Sequence, residues 1–169
     1  FFKIIEKALL VALKNLRQSR IAEGKALACD FENRLSEMGR AVAVIQKRLP
    51  VLEKEYRKHL EKRIKDFLPT ESAKTGLVDH ERLTLEVAQY VKNSDISEEI
   101  TRLKTHIDAM HSALKESGEV GRKIDFIGQE MTRESNTMGA KSQDVTIANA
   151  VIQIKSVIEK IREQASNVE

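Results

Sequence analysis

The chain has 169 residues, 33% charged, 4% aromatic and none of them Trp: room for one or two domains, but too few large rings for a broad α/β core. Cys29 is the single cysteine, which excludes an internal disulfide and fits a reducing cytoplasm. The net charge of +3 hides an asymmetry, since residues 1–68 hold 16 Lys/Arg against 9 Asp/Glu (+7) and residues 69–169 hold 13 against 17 (−4), a basic arm joined to an acidic module suited to drawing in a polyanion.

The first segment, Phe1 to Leu13, is apolar but interrupted by Lys3, Glu6 and Lys7, so it reads as neither a signal peptide nor a membrane span. A soluble, cytoplasmic chain is expected. Next, Phe31, Leu35, Met38, Val42, Ile45 and Leu49 recur at alternating spacings of four and three, the seam of an antiparallel hairpin or coiled coil. Pro50 sits where a new helix can start, because its missing N–H costs nothing in a first turn. Leu52, Tyr56, Leu60, Ile64 and Phe67 continue the stripe. Two or three helices are therefore expected over residues 1–68, with breaks near Ser19 and Pro50. The basic run from Lys47 and Arg48 through Lys54, Arg57, Lys58, Lys62, Arg63 and Lys65 can follow a nucleic-acid backbone or simply solvate a helix.

Residues 69–79, beginning Pro69-Thr-Glu-Ser, read as the linker to a compact helical domain over 80–169. Leu83, Val87 and Val91 mark a short helix ending near Asn93. Ser94 or Asp95 then caps a helix with Glu98 and Glu99 in its first turn and Ile96, Ile100, Leu103, Ile107, Met110 and Leu114 as its stripe, ending at Gly118. A further helix runs from about Glu119 to Thr137, with Val120, Ile124, Ile127 and Met131 inward and Gly139 as the following turn. The last, from about Asp144, turns Val151, Ile154, Ile158, Ile161, Ala165 and Val168 inward. No strand pattern occurs, and the expected fold is all-α: long antiparallel helical arms followed by a compact helical domain.

The stretch from Gly121 to Lys141, GRKIDFIGQEMTRESNTMGAK, mixes carboxylates, guanidinium groups and amides, the set needed to hold a metal and a phosphate together. Glu130 and Glu134 stand four apart on one helical face. Glu99, Arg102 and His106 align at spacings of three and four on the preceding helix. If those two helices run antiparallel, Glu99, His106, Glu130 and Glu134 converge. Carboxylates with one imidazole suit Mn²⁺ or Mg²⁺ better than a closed zinc site. Asp125, rotated roughly 140° from Glu130 by helix geometry, is a further candidate ligand directed at another partner. Each acid has a plainer alternative as a surface ion pair, such as Glu98–Arg102 or Glu130–Arg133. Arg122, Gln129, Arg133 and Asn136 share one edge, on which Phe126 either stacks a base or joins the core. Lys123, Lys141, Arg162 and Gln164 complete the candidate phosphate contacts. His106 is a candidate base toward a ribose 2′-hydroxyl.

Two runs carry a resemblance. DFIGQEMTRESNTMGAKS and KIREQASNVE, preceded by DISEEITRLKTHI, are similar to the C-terminal signature of the YicC family of bacterial endoribonucleases. Gly128 and Ser135 depart from it, standing where Leu and Ala are expected. The resemblance implies a manganese-dependent nuclease, a hexamer with a central cavity, and a further domain of mixed strand and helix ahead of this region. Joined to the residues, it points to an endoribonuclease cleaving single-stranded RNA with Mn²⁺ or Mg²⁺. Glu130, Glu134, His106 and Arg133 would be catalytic, and Glu99, Glu130, Glu134 and Asp125 would be metal ligands. Arg122, Lys123, Gln129, Asn136, Lys141, Arg162 and Gln164 would bind RNA. The alternative is a non-catalytic adaptor that presents RNA to another nuclease.

Overall fold

The computed structural model describes residues 2–67, 80–116, 118 and 120–166. Among these the protein is all-α, with five helices: α1 (Phe2–Phe67), α2 (His80–Asn93), α3 (Ser97–Ala113), α4 (Gly121–Lys141) and α5 (Val145–Ala165). The expected linker over 69–79 and Val168 lie outside the described residues. No helix among those described is long and apolar enough to cross a membrane.

The main correction concerns α1. It runs unbroken through Ser19 and Pro50, so residues 2–67 form one rod where a hairpin of two or three helices was expected. Proline inside a helix removes one ladder bond and crowds the carbonyl four residues back. Arg48 spans the weakened turn: its guanidinium donates to both Glu55 carboxylate oxygens, at 3.1 and 2.6 Å, and to Asp144 at the start of α5. Glu55 beyond Pro50 and Asp144 of the neighbouring helix thus hold the same arginine, which braces α1 across the weakened turn.

The seam read between Phe31 and Ile45 is the part of α1 that enters the core. Phe31, Leu35, Met38, Val42 and Ile45 are each at most 2% exposed. They meet Ile100, Leu103 and Met110 of α3, Ile124 and Met131 of α4, and Ile147, Ile154 and Ile158 of α5. Full burial of such a side chain stabilises by about 1.5–3 kcal/mol, so this cluster fixes how the four helices meet. Before Leu27, α1 leaves the bundle, and every described side chain from Phe2 to Ala26 is exposed. Helix α2 is held to α1 by Val87 and by Tyr90, whose ring stacks on Tyr56 with centroids 3.6 Å apart.

Gly118, at φ 109°, turns the chain between α3 and α4, a backbone region that side chains with a Cβ rarely enter. Gly139 does not form the expected turn. It lies inside α4, on an exposed position where an added Cβ would make ordinary van der Waals contact with a Val151 methyl at 3.4 Å.

Candidate active site

Position along the seams explains which acids become buried. On α4, Ile127, Met131, Glu134 and Met138 follow one another at spacings of four, three and four, so Glu134 occupies a core position. On α3, Glu99 immediately precedes buried Ile100 and shares its side of the helix with Leu103, four residues on. Packing of α3 on α4 then brings Glu99 and Glu134, 2% and 6% exposed, to the same guanidinium, that of Arg102.

Arg102 is the hub. Its Nε donates to Glu134 Oε2 at 2.9 Å, another nitrogen lies 3.7 Å from Glu99 Oε1, and a third bonds Glu98. Lys141, from the last turn of α4, donates to Glu99 Oε1 at 2.8 Å and to the Asp95 carbonyl at 3.2 Å. Burial would push the Glu99 carboxyl up, but Lys141, its own backbone amide and Arg102 together hold it below the ordinary carboxylate range. Glu99 Oε2 is buried without a hydrogen-bond partner among the described residues. Three carboxylates (Glu98, Glu99, Glu134) face two cations, leaving one net negative charge.

The remaining sequence candidates separate from this cluster. Among the described residues no three His, Cys, Asp or Glu side chains gather closely enough to hold a metal ion. Glu130 faces Arg133 at 4.0 Å, the plain surface pairing weighed from the sequence. Asp125 accepts from Arg162 Nε at 2.9 Å and from Gln129 at 2.8 Å, on another side of α4. His106 is half-buried and makes no ion pair or hydrogen bond with the described residues. Lys123 is paired with Glu116 at 2.6 Å. Lys141 was expected in a turn and belongs instead to the helix. Gln164 is half-buried on α5.

Arg122, Gln129, Arg133 and Asn136 are all exposed along one edge of α4. Phe126 shares that edge at 63% exposure, which removes the core alternative for its ring. Gly128 also finds its reason. An added Cβ would lie 2.7 Å from Arg162 Cγ, so the expected Leu would displace the arginine stem that crosses α4 to reach Asp125. Ser135 is fully buried and donates to the Met131 carbonyl at 2.7 Å, which satisfies the hydroxyl that Ala lacks.

Sequence reading named Glu99, Glu134 and Lys141 but left Arg102 out of the site. The available signal was its spacing of three from Glu99; its partner across the α3–α4 seam needs the packing.

This is an all-helical bundle with a buried carboxylate–cation cluster flanked by an exposed cationic edge. Residues 45–169 match the family described as endoribonuclease YicC-like, C-terminal, and the chain belongs to that family. It is 40% identical over 168 residues to a probable endoribonuclease YicC of Clostridioides difficile, an alignment covering 99% of this chain and 56% of the relative. A probable endoribonuclease YicC of Haemophilus influenzae is 32% identical over 169 residues, covering 98% and 56%. The chain therefore spans a little over half the length of these relatives.

Proposed function

We propose that this chain is the helical portion of an endoribonuclease that cleaves single-stranded RNA with the help of Mn²⁺ or Mg²⁺. The cluster of Glu99, Arg102, Glu134 and Lys141 would be its chemical centre. The observation that carries this reading is the burial of two carboxylates from separate helices around one guanidinium, with Glu99 Oε2 left unpartnered. A group in that state lacks a donor or a cation.

On this reading a divalent ion would rest on only a pair of protein carboxylates. Mg²⁺ commonly takes one or two protein carboxylates and keeps its remaining positions for water and substrate phosphate. Glu99 and Glu134 would hold it, whereas Asp125 and Glu130, each turned to its own partner, stand apart. Once bound, such an ion lowers the pKa of a water and neutralises the leaving oxygen. Arg102 and Lys141, with side chains 43% and 39% exposed, form the open side of the cluster. They are placed to bind the scissile phosphate and to stabilise its growing charge. The edge of Arg122, Phe126, Gln129, Arg133 and Asn136 suits unpaired RNA, whose bases can stack on an aromatic ring and bond side-chain amides. That edge also favours the adaptor reading, since it would bind RNA without the buried acids.

Nine large apolar side chains between Phe2 and Ile21, from Phe2 at 85% to Ile21 at 50%, stand exposed on α1. Such a stripe supports association between copies of this chain, as a hexamer on the family resemblance.

The test is cleavage of an unstructured RNA by the longer natural protein, with and without EDTA, for wild type, Glu99→Gln and Glu134→Gln. The expected result is loss of cleavage in chelator and at least a hundredfold lower rate in each variant. Full activity in both variants would remove this centre. RNA binding that persists while cleavage disappears on further purification would favour the adaptor.

A further inference from the structure

We propose that the cavity where Pro50 of α1, the end of α2, the start of α3 and the α4–α5 loop converge is a nucleobase pocket selective for guanine. The inference rests on RNA being the substrate and names the base read beside the cluster. The cavity measures about 190 Å³. Pockets for drug-sized ligands run to roughly 300–1,000 Å³, so this one takes a single flat ring system and leaves sugar and phosphate outside. Leu49, Val91 and Ile147 supply apolar walls. Glu53, Ser94 and Gln143 place polar groups at the cavity, and none of these side chains bonds another described residue.

The charge of the lining decides between base and phosphate. Among the described residues no Lys or Arg lines the cavity, whereas Glu53 and Asp95 do. Asp95 is held ionised, because the Ser97 hydroxyl and amide keep its carboxyl below the usual range. A phosphate would be repelled here, and a ring that presents N–H donors would be welcomed. Guanine offers two adjacent donors, N1–H and its exocyclic amine, which match the two oxygens of one carboxylate such as Glu53. The Gln143 amide can donate to its O6. Uracil offers a single ring N–H, and adenine and cytosine each offer an amine beside an acceptor that a carboxylate opposes.

Lys141 ties the pocket to the centre. Its Nζ donates both to the carbonyl of Asp95, a lining residue, and to Glu99 of the cluster. A base seated in the cavity therefore has its backbone near the cation proposed to hold the scissile phosphate, so cleavage would fall next to guanine.

The test titrates guanosine, adenosine, cytidine and uridine separately into the 169-residue chain, followed by amide NMR shifts. Guanosine is expected to bind at least tenfold tighter than the others, with shifts at Val91, Ser94 and Gln143. Glu53→Gln and Gln143→Ala, both exposed positions with unchanged melting expected, should each weaken guanosine about tenfold. Equal binding of all four, no binding, or shifts confined elsewhere would overturn the proposal. In parallel, the longer natural protein is given an unstructured RNA with a single guanine. Guanosine binding without any RNA cleavage leaves the pocket standing and removes the nuclease reading. Cleavage indifferent to guanine, with no nucleoside binding, removes the pocket and leaves the nuclease.

Discussion

Asp144 joins the start of α5 to α1, and removing its two roles separately gives a sharp test of how the bundle is held. Its side chain, 11% exposed, accepts the Ile147 amide at 3.0 Å through Oδ1, the bond that caps α5. Through Oδ2 it accepts two Arg48 N–H groups at 3.1 and 3.0 Å. Asparagine keeps the cap, since it ranks with aspartate at that position, but loses the ion pair. A hydrogen bond to a charged group contributes about 1.5–3 kcal/mol; with Arg48 26% exposed and still bonded to Glu55, about 1–2 kcal/mol is expected for Asp144→Asn. Asp144→Ala adds the lost cap, about 1 kcal/mol, for a total of about 2–3. At about 2–4 °C per kcal/mol for a chain of this size, melting by circular dichroism should fall by about 2–8 °C for Asn and about 4–12 °C for Ala.

The sign of the pH dependence follows from the same contacts. Burial would raise the Asp144 carboxyl, but Arg48 and the Ile147 amide hold it below its ordinary 3.8. The charge contribution is therefore complete above that ordinary value and disappears as pH falls through the lower folded value. The gap between wild type and Asp144→Asn should be constant from about pH 7 to 5 and close below about pH 4. A gap that stays open in acid would refute the ion pair as its source. Equal losses in Asn and Ala would refute the cap.

Two further substitutions probe the site. Gly128→Ala should change stability by less than about 1 kcal/mol, because the gain of about 1 kcal/mol in helix propensity is offset by displacing Arg162. In an Arg162→Ala background the same change should raise the melting temperature by about 2–4 °C; no rise would mean the glycine serves another contact. Lys141→Met strands the buried Glu99 carboxylate, and removing one partner of a buried pair costs about 3–5 kcal/mol. Because Lys141 is 39% exposed, about 2 kcal/mol is expected in urea unfolding, largely recovered in Lys141→Met with Glu99→Gln. Failure of the second change to recover stability would show that the lysine acts through something other than Glu99.

Much of the fold was legible because stripe and burial coincide. The seams from Phe31 to Ile45, Ile96 to Met110 and Ile147 to Ile161 are buried as their spacing demands. The differences lie at expected helix breaks: Ser19, Pro50 and Gly139 each weaken a helix only locally, and the sequence does not say when the helix continues through them. Pro50 stays helical beside an arginine shared by Glu55 and Asp144. Gly139 reads as a turn from the sequence, yet it is one more helical residue of α4. In the site, Glu134 was legible by its place in the Met131–Met138 stripe, where an acid is conspicuous. Glu130 shares its helix and lies four residues before it but is more exposed, Asp125 lies on another side, and helix spacing alone could not say which acids the α3 neighbour would reach. Arg102 aligns with Glu99 in the sequence but gains no site role there, because a guanidinium three residues from one glutamate looks like an ordinary surface pair until a second helix brings Glu134.

That second helix also bears on why the cluster exists. A buried ion pair is a weak stabiliser, and well-packed apolar residues of similar volume often do as well or better. Between Met131 and Met138 a leucine at position 134 would extend the seam, and an apolar residue at 99 would remove the unpartnered oxygen. Fold stability alone therefore gives no reason for two acids here. Nor does solubility, since both are buried. The cluster carries one net negative charge with the exposed Glu98 counted, opens to solvent through Glu98 and its cations, and is bonded through Lys141 to the wall of a cavity that no cation lines among the described residues. The proposed centre, taking a divalent ion and a phosphate next to a seat for a base, would account for the bare Glu99 oxygen and the neighbouring cavity together, whereas a purely structural cluster would explain the pairing and leave those two features unrelated.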